Sequence, residues 1–269
     1  MVMNLNEYIK QADSIVSNHC KRYSLLYPKS GVLLSGGIDS SLITSYVLQY
    51  LKNPFILSMG TNLTKDRPFI DIFSAHFKTT YEWVELMENK IIEALPIVTQ
   101  LLEQNKIEVS GMQKTLGVGY FLIFKRAQSL GIKSVITGQG PDILFAGYHK
   151  YQGMNGAALK NQIKQDLILL ETDKKRDRAM VSYFGITLIN PYLEDDFVAF
   201  SLTVPPELKR RNGVEKYFMR KWGEVRHLPQ EIVNRPKKAF QYSTGLHKKI
   251  YTSFRKTYST YRVTCSANR

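Results

Sequence analysis

The sequence predicts a parallel α/β fold: a sheet covered by helices on both faces, followed by a helical cap. Three observations carry that expectation. Short apolar runs alternate with helix-spaced apolar patterns through the first half of the chain. Three of those runs end in glycine, at Gly36-Gly37, Gly60 and Gly138. Past about residue 155 strand signals fade and helical patterns take over, broken at Pro191, Pro205-Pro206, Pro229 and Pro236. Strands alternating with helices imply right-handed crossovers and parallel neighbours.

The elements follow in order. "GVLLSG" is a buried strand ending in glycine, and Ile38, Leu42, Ile43, Tyr46, Val47 and Tyr50 then recur at helical spacing until Asn53-Pro54. "FILSMG" (Phe55–Gly60) is a second buried strand, and "RPFIDIFSAHF" a helix with proline suited to its start. "YEWVEL" alternates as a third strand. A long helix is expected from about Met87 to Asn105, with Pro96 inside it, and another over residues 116–130. "KSVITG" (Lys133–Gly138) is the fourth strand. The whole chain reads as one domain, residues 1–269, with an α/β core to about residue 150 and a mostly helical portion from about 151 to 269. In such sheets ligands bind beyond the carboxyl ends of the strands, where strand order reverses.

With 269 residues and 43% hydrophobic side chains the chain can bury a sizeable core. The opening "MVMNLNEYIKQADSIV" interrupts its apolar positions with charges and amides, so neither a secretory signal nor a membrane span is expected. Cys20 and Cys265 stand far apart with no Cys-x-x-Cys pair, which fits free thiols in a reducing cytoplasm. The net charge of +14 is concentrated after Pro205. Such an excess draws polyanions; without a zinc-finger or aromatic RNA motif, a solvated helical surface is the preferred reading over a nucleic-acid site. The five histidines are scattered with no zinc spacing, and there is no G-x-S-x-G elbow.

"GVLLSGGIDSSL" (Gly31–Leu42) carries the chemistry. A glycine pair at a strand end lets backbone approach an anion, and the next helix points its free N–H groups and positive dipole end at it. Ser35, Ser40 and Ser41 add hydroxyl donors. The usual phosphate loop would place a lysine here; this one has Asp39. An aspartate facing polyphosphate needs a cation between them, and Mg²⁺ prefers carboxylate, phosphate and water oxygens.

"SGGIDSS" resembles the pyrophosphate loop of the ATP-pyrophosphatase superfamily, and nearly the whole chain resembles the synthetase domain of asparagine synthetases. The further motifs are "SMG", "ITGQGPDILFAGY" (Ile136–Tyr148), "NPYLEDD" with "PPELK", "KYFMRK" and "LPQEIVNRPKKAF". The resemblance implies a Rossmann-like sheet of the adenine nucleotide α-hydrolase type. It also implies an ATP-dependent, AMP- and pyrophosphate-forming amide ligase that adenylates a carboxylate, by default aspartate, for attack by ammonia. Leu34, Met59, Gly60, Thr137 and Gly138 are then expected around AMP, and Ser35, Gly36, Gly37, Asp39 and Ser40 around the departing phosphates. Asp39 and Asp142 would hold Mg²⁺. Lys237 would stabilise charge on the α-phosphate, and Gln139 would stand beside the attacking nitrogen.

Four departures from the family pattern shape the expectation. There is no glutaminase segment and no cysteine at the start, so nitrogen is expected from free ammonia, another amine or a separate glutaminase subunit. Gln139 replaces a glutamate; it can position a nucleophile but cannot take its proton, and Ile143 replaces a second acidic residue. The acceptor segment "VSGMQKTLGVGYF" lacks an arginine and offers only Lys114, a point charge without a bidentate fork; Gly111, Gly117 and Gly119 make it read as flexible and roomy. "QYSTGLHKK" (Gln241–Lys249) presents Ser243 and Thr244 either to another anion or as a helix cap. The expected partners are a small carboxylate and ammonia, with a homo-oligomer allowed and no membrane. The alternatives are a regulatory nucleotide-binding subunit of an amidotransferase and an RNA-modifying enzyme of the same superfamily, for which the two distant cysteines offer no catalytic pair.

Overall fold

The computed structural model describes residues 3–251. Cys265 and the cations Arg255, Lys256, Arg262 and Arg269 lie outside the described residues. The chain opens with helix α1 (Leu5–Leu26), an element the sequence reading left unassigned. Asn4 caps it, accepting from the Glu7 amide while the Glu7 carboxylate accepts from the Asn4 amide, a reciprocal box that satisfies two otherwise orphaned donors.

Strand β1 (Ser30–Leu33), helix α2 (Ile38–Tyr50), strand β2 (Phe55–Gly60), helix α3 (Arg67–His76) and strand β3 (Glu82–Glu85) follow in the expected alternation. Helices α4 (Glu88–Gln104) and α5 (Gly111–Ser129) then lead into β4 (Ser134–Ile136). The remainder comprises α6 (Pro141–Leu144), the 27-residue α7 (Gly156–Ser182), β5 (Thr187–Ile189), α8 (Asp195–Thr203), α9 (Pro206–Lys209), α10 (Tyr217–Val225), α11 (Gln230–Val233) and α12 (Phe240–Ser243).

All five strands are parallel, in the order β3-β2-β1-β4-β5. The fifth corrects the expectation that strands end with β4. "TLI" is only three residues long, too short for a periodic pattern to register. Its Leu188 pairs with Val135, so a strand from the helical portion completes the sheet edge.

Consecutive strand residues point to opposite faces. Val32, Ile56 and Ile136 enter one core with Val16 of α1, Tyr46 of α2 and Trp222 of α10. Leu33, Leu57 and Val135 enter the other with Val98 of α4 and Phe121 of α5. Helix α7 serves both: Leu159, Ile163 and Leu170 pack in the first core, Ala179 and Met180 in the second.

The strand order reverses between β1 and β4, because the chain lays β2 and β3 on one side of β1 and then crosses to the other. The loops after β1 and β4 meet there so closely that a Cβ on Gly138 would lie 2.9 Å from the Asp39 carbonyl oxygen. Only glycine fits that contact.

Candidate active site

A cavity of about 400 Å³ opens at this switch point. Eleven of the thirteen expected site residues line it: Leu34, Ser35, Gly37, Asp39, Ser40, Met59, Thr137, Gly138, Gln139, Asp142 and Lys237. Gly36 and Gly60 do not; they are packed against neighbouring elements. Gly36 has φ +69°, and a Cβ there would run into Phe69 at the start of α3. A Cβ on Gly60 would overlap Thr64 and Trp83.

The loop after β1 is ordered by its own hydroxyls. The Ser35 amide donates to Ser40 Oγ at 3.1 Å, and Ser40 Oγ donates to the Gly37 carbonyl at 3.2 Å. Ser40 is thereby engaged in holding the loop rather than free to serve as a donor. Ser41 is fully buried and does not line the cavity, which corrects its expected part as a donor. What faces the cavity is the amino end of α2, where Gly37 is the cap residue and the first-turn amides lack helical partners.

Over this loop stand four charges in a row: Lys216 with Asp39, Lys216 with Asp142, and Asp142 with Lys237. Lys216 is 2% exposed and takes a left-handed backbone conformation just before α10. Gly147 allows its approach, since a Cβ there would overlap both Lys216 and Asp142. Burial pushes the Asp39 carboxyl upward, opposed by Lys216 and reinforced by Asp142. Burial also opposes the Asp142 anion, but Lys216 and Lys237 together hold that carboxyl well below the usual range.

The segment after α11 is tied down by a second set of ions. Arg235 pairs with buried Asp66, donates to the Ser35 carbonyl at 3.0 Å and lies 4.1 Å above the Phe69 ring. Glu215 accepts from the Lys237 amide at 3.2 Å and from Arg220 at 2.7 Å. Lys237 is therefore presented by its backbone anchor as well as by Asp142. Ser243 and Thr244 line the cavity but act as turn residues. The Thr244 hydroxyl donates to the Phe240 carbonyl, and the Thr61 and Lys65 amides donate to the carbonyls of Thr244 and Ser243.

The acceptor segment is closely packed at Gly117 and Gly119, while Gly111 faces open space. It forms α5, where a Cβ on Gly117 would meet Val98 at 2.7 Å and one on Gly119 would meet Phe240 at the same distance. The glycines let α4 and the Phe240 segment close on the helix. Lys114 does not line the cavity; Gln113, Leu116 and Tyr120 do. A guanidinium is nevertheless present, from α7. Arg176, 1% exposed, bonds Asp177 at 2.8 Å, Asp173 at 2.6 Å and Gln113 at 3.0 Å. Burial pushes the Asp177 carboxyl up to about 6 against the pull of Arg176, and the Gln139 side chain faces it.

Lys216, Arg235, Asp173 and Arg176 were not singled out from the sequence. In sequence, Lys216 and Arg235 belong to the basic excess after Pro205, which reads as a solvated surface. Instead Lys209, Lys216, Arg220 and Arg235 turn inward. The available signal was their place in motifs: Lys216 is the first residue of "KYFMRK", and Arg235 lies two residues before Lys237. Among the described residues no group of three or more His, Cys, Asp or Glu side chains forms a metal cluster, and no helix is long and apolar enough to cross a membrane.

The pattern of the family described as asparagine synthase matches residues 28–180 and 161–264. The glutamine-hydrolysing asparagine synthetase of Gallus gallus is 28% identical over 257 residues, covering 91% of this chain and 45% of that protein. The Rattus norvegicus enzyme is 31% identical over 241 residues, covering 84% and 42%. The Cricetulus griseus enzyme is 32% identical over 225, covering 78% and 39%. Among solved structures, NMN synthetase from Francisella tularensis superposes with a TM-score of 0.44 at 12% identity, over 87% of this chain and 75% of that one, an overlap too slight to bear on function. The chain spans less than half the length of the relatives it matches. With matches running through both the sheet and the cap, the chain belongs to the asparagine synthase family.

Proposed function

We propose that this chain is an ATP-dependent ligase that adenylates a carboxylic acid, releases pyrophosphate and passes the acyl group to ammonia or another amine. The observation that carries the reading is the pair Asp39 and Asp142, set over the amino end of α2 and flanked by Lys216 and Lys237. Two carboxylates among lysines at a helix amino terminus suit a polyphosphate with its metal ion better than a neutral ligand.

The donor set fits Mg²⁺. Asp39 Oδ1 is buried without a hydrogen-bond partner, a carboxylate oxygen left open beside a second carboxylate. Asp39 and Asp142 would hold the ion, with phosphate and water oxygens completing its coordination. When bound, it supplies charge neutralisation to the phosphoryl oxygens.

The chain's own residues do the rest. Leu34, Met59, Thr137 and Gly138 would flank the adenosine and α-phosphate. The Ser35–Ser40 loop and the α2 amides would take the β- and γ-phosphates. The acid's oxygen forms a bond to the α-phosphorus while the bond to the bridging oxygen breaks, and pyrophosphate departs with its electron pair. Charge grows on phosphoryl oxygens in that step, and the Lys237 ammonium would lower their energy. Lys216 would follow the leaving pyrophosphate. Gln139 would orient the incoming neutral amine, whose nitrogen bonds the acyl carbon while the bond to AMP breaks. AMP leaves with the electron pair, and the proton the amine gives up passes to solvent because a glutamine cannot take it. Free ammonia or a separate glutaminase subunit would supply the nitrogen.

The test is pyrophosphate release and ATP–pyrophosphate exchange across a panel of acids, with and without ammonium. AMP and pyrophosphate are expected, with Lys237→Ala lowering kcat by about 100- to 1000-fold. Formation of ADP alone would refute the reading. Gln139 favours one second reading, a regulatory nucleotide-binding subunit. In that case Lys237→Ala and Asp142→Asn would bind ATP less well yet change the partner's turnover little.

A further inference from the structure

We propose that the acid activated here carries a cationic head, an ammonium or guanidinium at the end of a short apolar chain, held by Asp173, and that it is not a dicarboxylate. The inference deepens the adenylation reading and rests on it.

The argument begins with charge. On the α5 and α7 side Arg176 and Asp173 line the cavity and Asp177 is buried behind them, bonded to the same guanidinium, so one cation stands against two carboxylates. Arg176 is the guanidinium on this side, and both carboxylates already bind it through Nη1 and Nε. Its face is turned toward the Tyr120 ring, with Cζ 5.7 Å from the centroid. A second carboxylate on the substrate would enter a compartment with surplus negative charge and would meet a guanidinium already matched.

The other cations on the lining act on other carboxylates. Lys216 and Lys237 are paired with Asp39 and Asp142, Arg220 with Glu215, and Arg235 with Asp66, while Lys238 adds one further cation near Asp66. Lys216 bonds Asp39 of the phosphate loop, Lys237 bonds Asp142 of the loop after β4, and Arg235 is bonded to the phosphate loop's Ser35 carbonyl.

Asp173 is the carboxylate of this side that reaches the cavity, with 19% of its side chain exposed, whereas Asp177 is buried behind it. Tyr148 also lines the cavity, with its ring 5.9 Å from the Lys237 ammonium. Met112, Leu116 and Leu169 line the same cavity and supply apolar wall for methylene groups. A monocarboxylic acid with its carboxylate at Lys237 and its cation at Asp173 matches both charges and the apolar lining.

ATP–pyrophosphate exchange with the full chain tests this, using 5-aminopentanoate, lysine and arginine against aspartate, succinate and glutarate. The expected result is kcat/KM at least tenfold higher for the best cationic acid than for any dicarboxylate. Asp173→Asn should raise KM for that acid at least tenfold with kcat little changed, and should narrow its advantage over succinate. A dicarboxylate as the best substrate, or an unchanged KM in Asp173→Asn, would overturn the inference and leave adenylation standing. Exchange with no acid at all would remove the adenylation reading and this inference with it. The ATP-induced rise in Tm reports whether Asp173→Asn is folded; if it is not, the wild-type panel decides alone.

Discussion

The ammonium of Lys216 lies 2.5 Å from Asp142 Oδ1 and also bonds Asp39, joining the loop after β1 to the loop after β4 through one buried charge. These loops come from strands that pair in the sheet but lie about a hundred residues apart in sequence, and the lysine comes from the cap. The site is thus closed electrostatically by a part of the chain that contributes only one short strand to the sheet.

Removing that lysine leaves two neighbouring carboxylates without their shared cation. Lys216→Met should destabilise the fold by about 3–5 kcal/mol at neutral pH, read from urea unfolding. Repulsion between the carboxylates is the cause, so the deficit should shrink as pH falls and the carboxyls protonate, Asp39 first because burial and Asp142 raise it. A deficit independent of pH would contradict this account.

Arg235 and Asp66 form a second buried pair whose loss should be asymmetric. Arg235→Met alone strands the Asp66 carboxylate, 2% exposed, and should cost on the order of 3–5 kcal/mol. The double variant Arg235→Met, Asp66→Leu should recover much of that stability. It should not recover turnover, because the Ser35 carbonyl still lacks its tether. Equal stability in the single and double variants would show that the pair is not coupled.

Gly36→Ala probes the loop's shape. The added methyl must adopt φ +69° and push against Phe69, so a cost of about 1–3 kcal/mol is expected. The larger consequence falls on nucleotide affinity, since the loop rests against the start of α3. Isothermal titration with ATP should show weaker binding even where circular dichroism shows an intact fold.

Lys209 supplies a pH signature away from the site. It is buried beneath α6, donates to the Leu144 carbonyl at 2.7 Å, and burial pushes its ammonium down from 10.5 to about 7. Between pH 7 and 10 the unfolded chain holds this proton and the folded chain releases it. Stability from this group therefore rises with pH across that window, by at most about 1.4 kcal/mol per unit, and is lost as pH falls through 7. Lys209→Met should abolish that slope in paired unfolding curves. An unchanged slope would place the effect elsewhere.

The parallel sheet was legible because its core strands are continuous apolar runs ending in glycine and its helices repeat at their own period. "GVLL", "FILSMG" and "KSVITG" could be located by composition alone, and the loop Ser35–Ser40 by its string of small residues. That part of the site is local: a strand end, a turn and a helix start are all encoded within a dozen residues. By contrast β5 has three residues and no period to detect, and its place at the sheet edge is settled by pairing with β4. Gly117 and Gly119 suggested looseness because a sequence does not show what faces a glycine; the fold puts Val98 and Phe240 there.

The charges divide in the same way. Asp39, Asp142 and Lys237 were identifiable from motifs, but that Lys216 joins Asp39 to Asp142 depends on packing between α10 and the strand ends. Nor could sequence show that Arg176 would be matched by Asp173 and Asp177. Coulomb energy depends on distance and burial, and neither is written along the chain. The order of residues determined which groups are available to hold an anion. Tertiary structure decided which of them are neutralised by a partner and which stay open to the cavity.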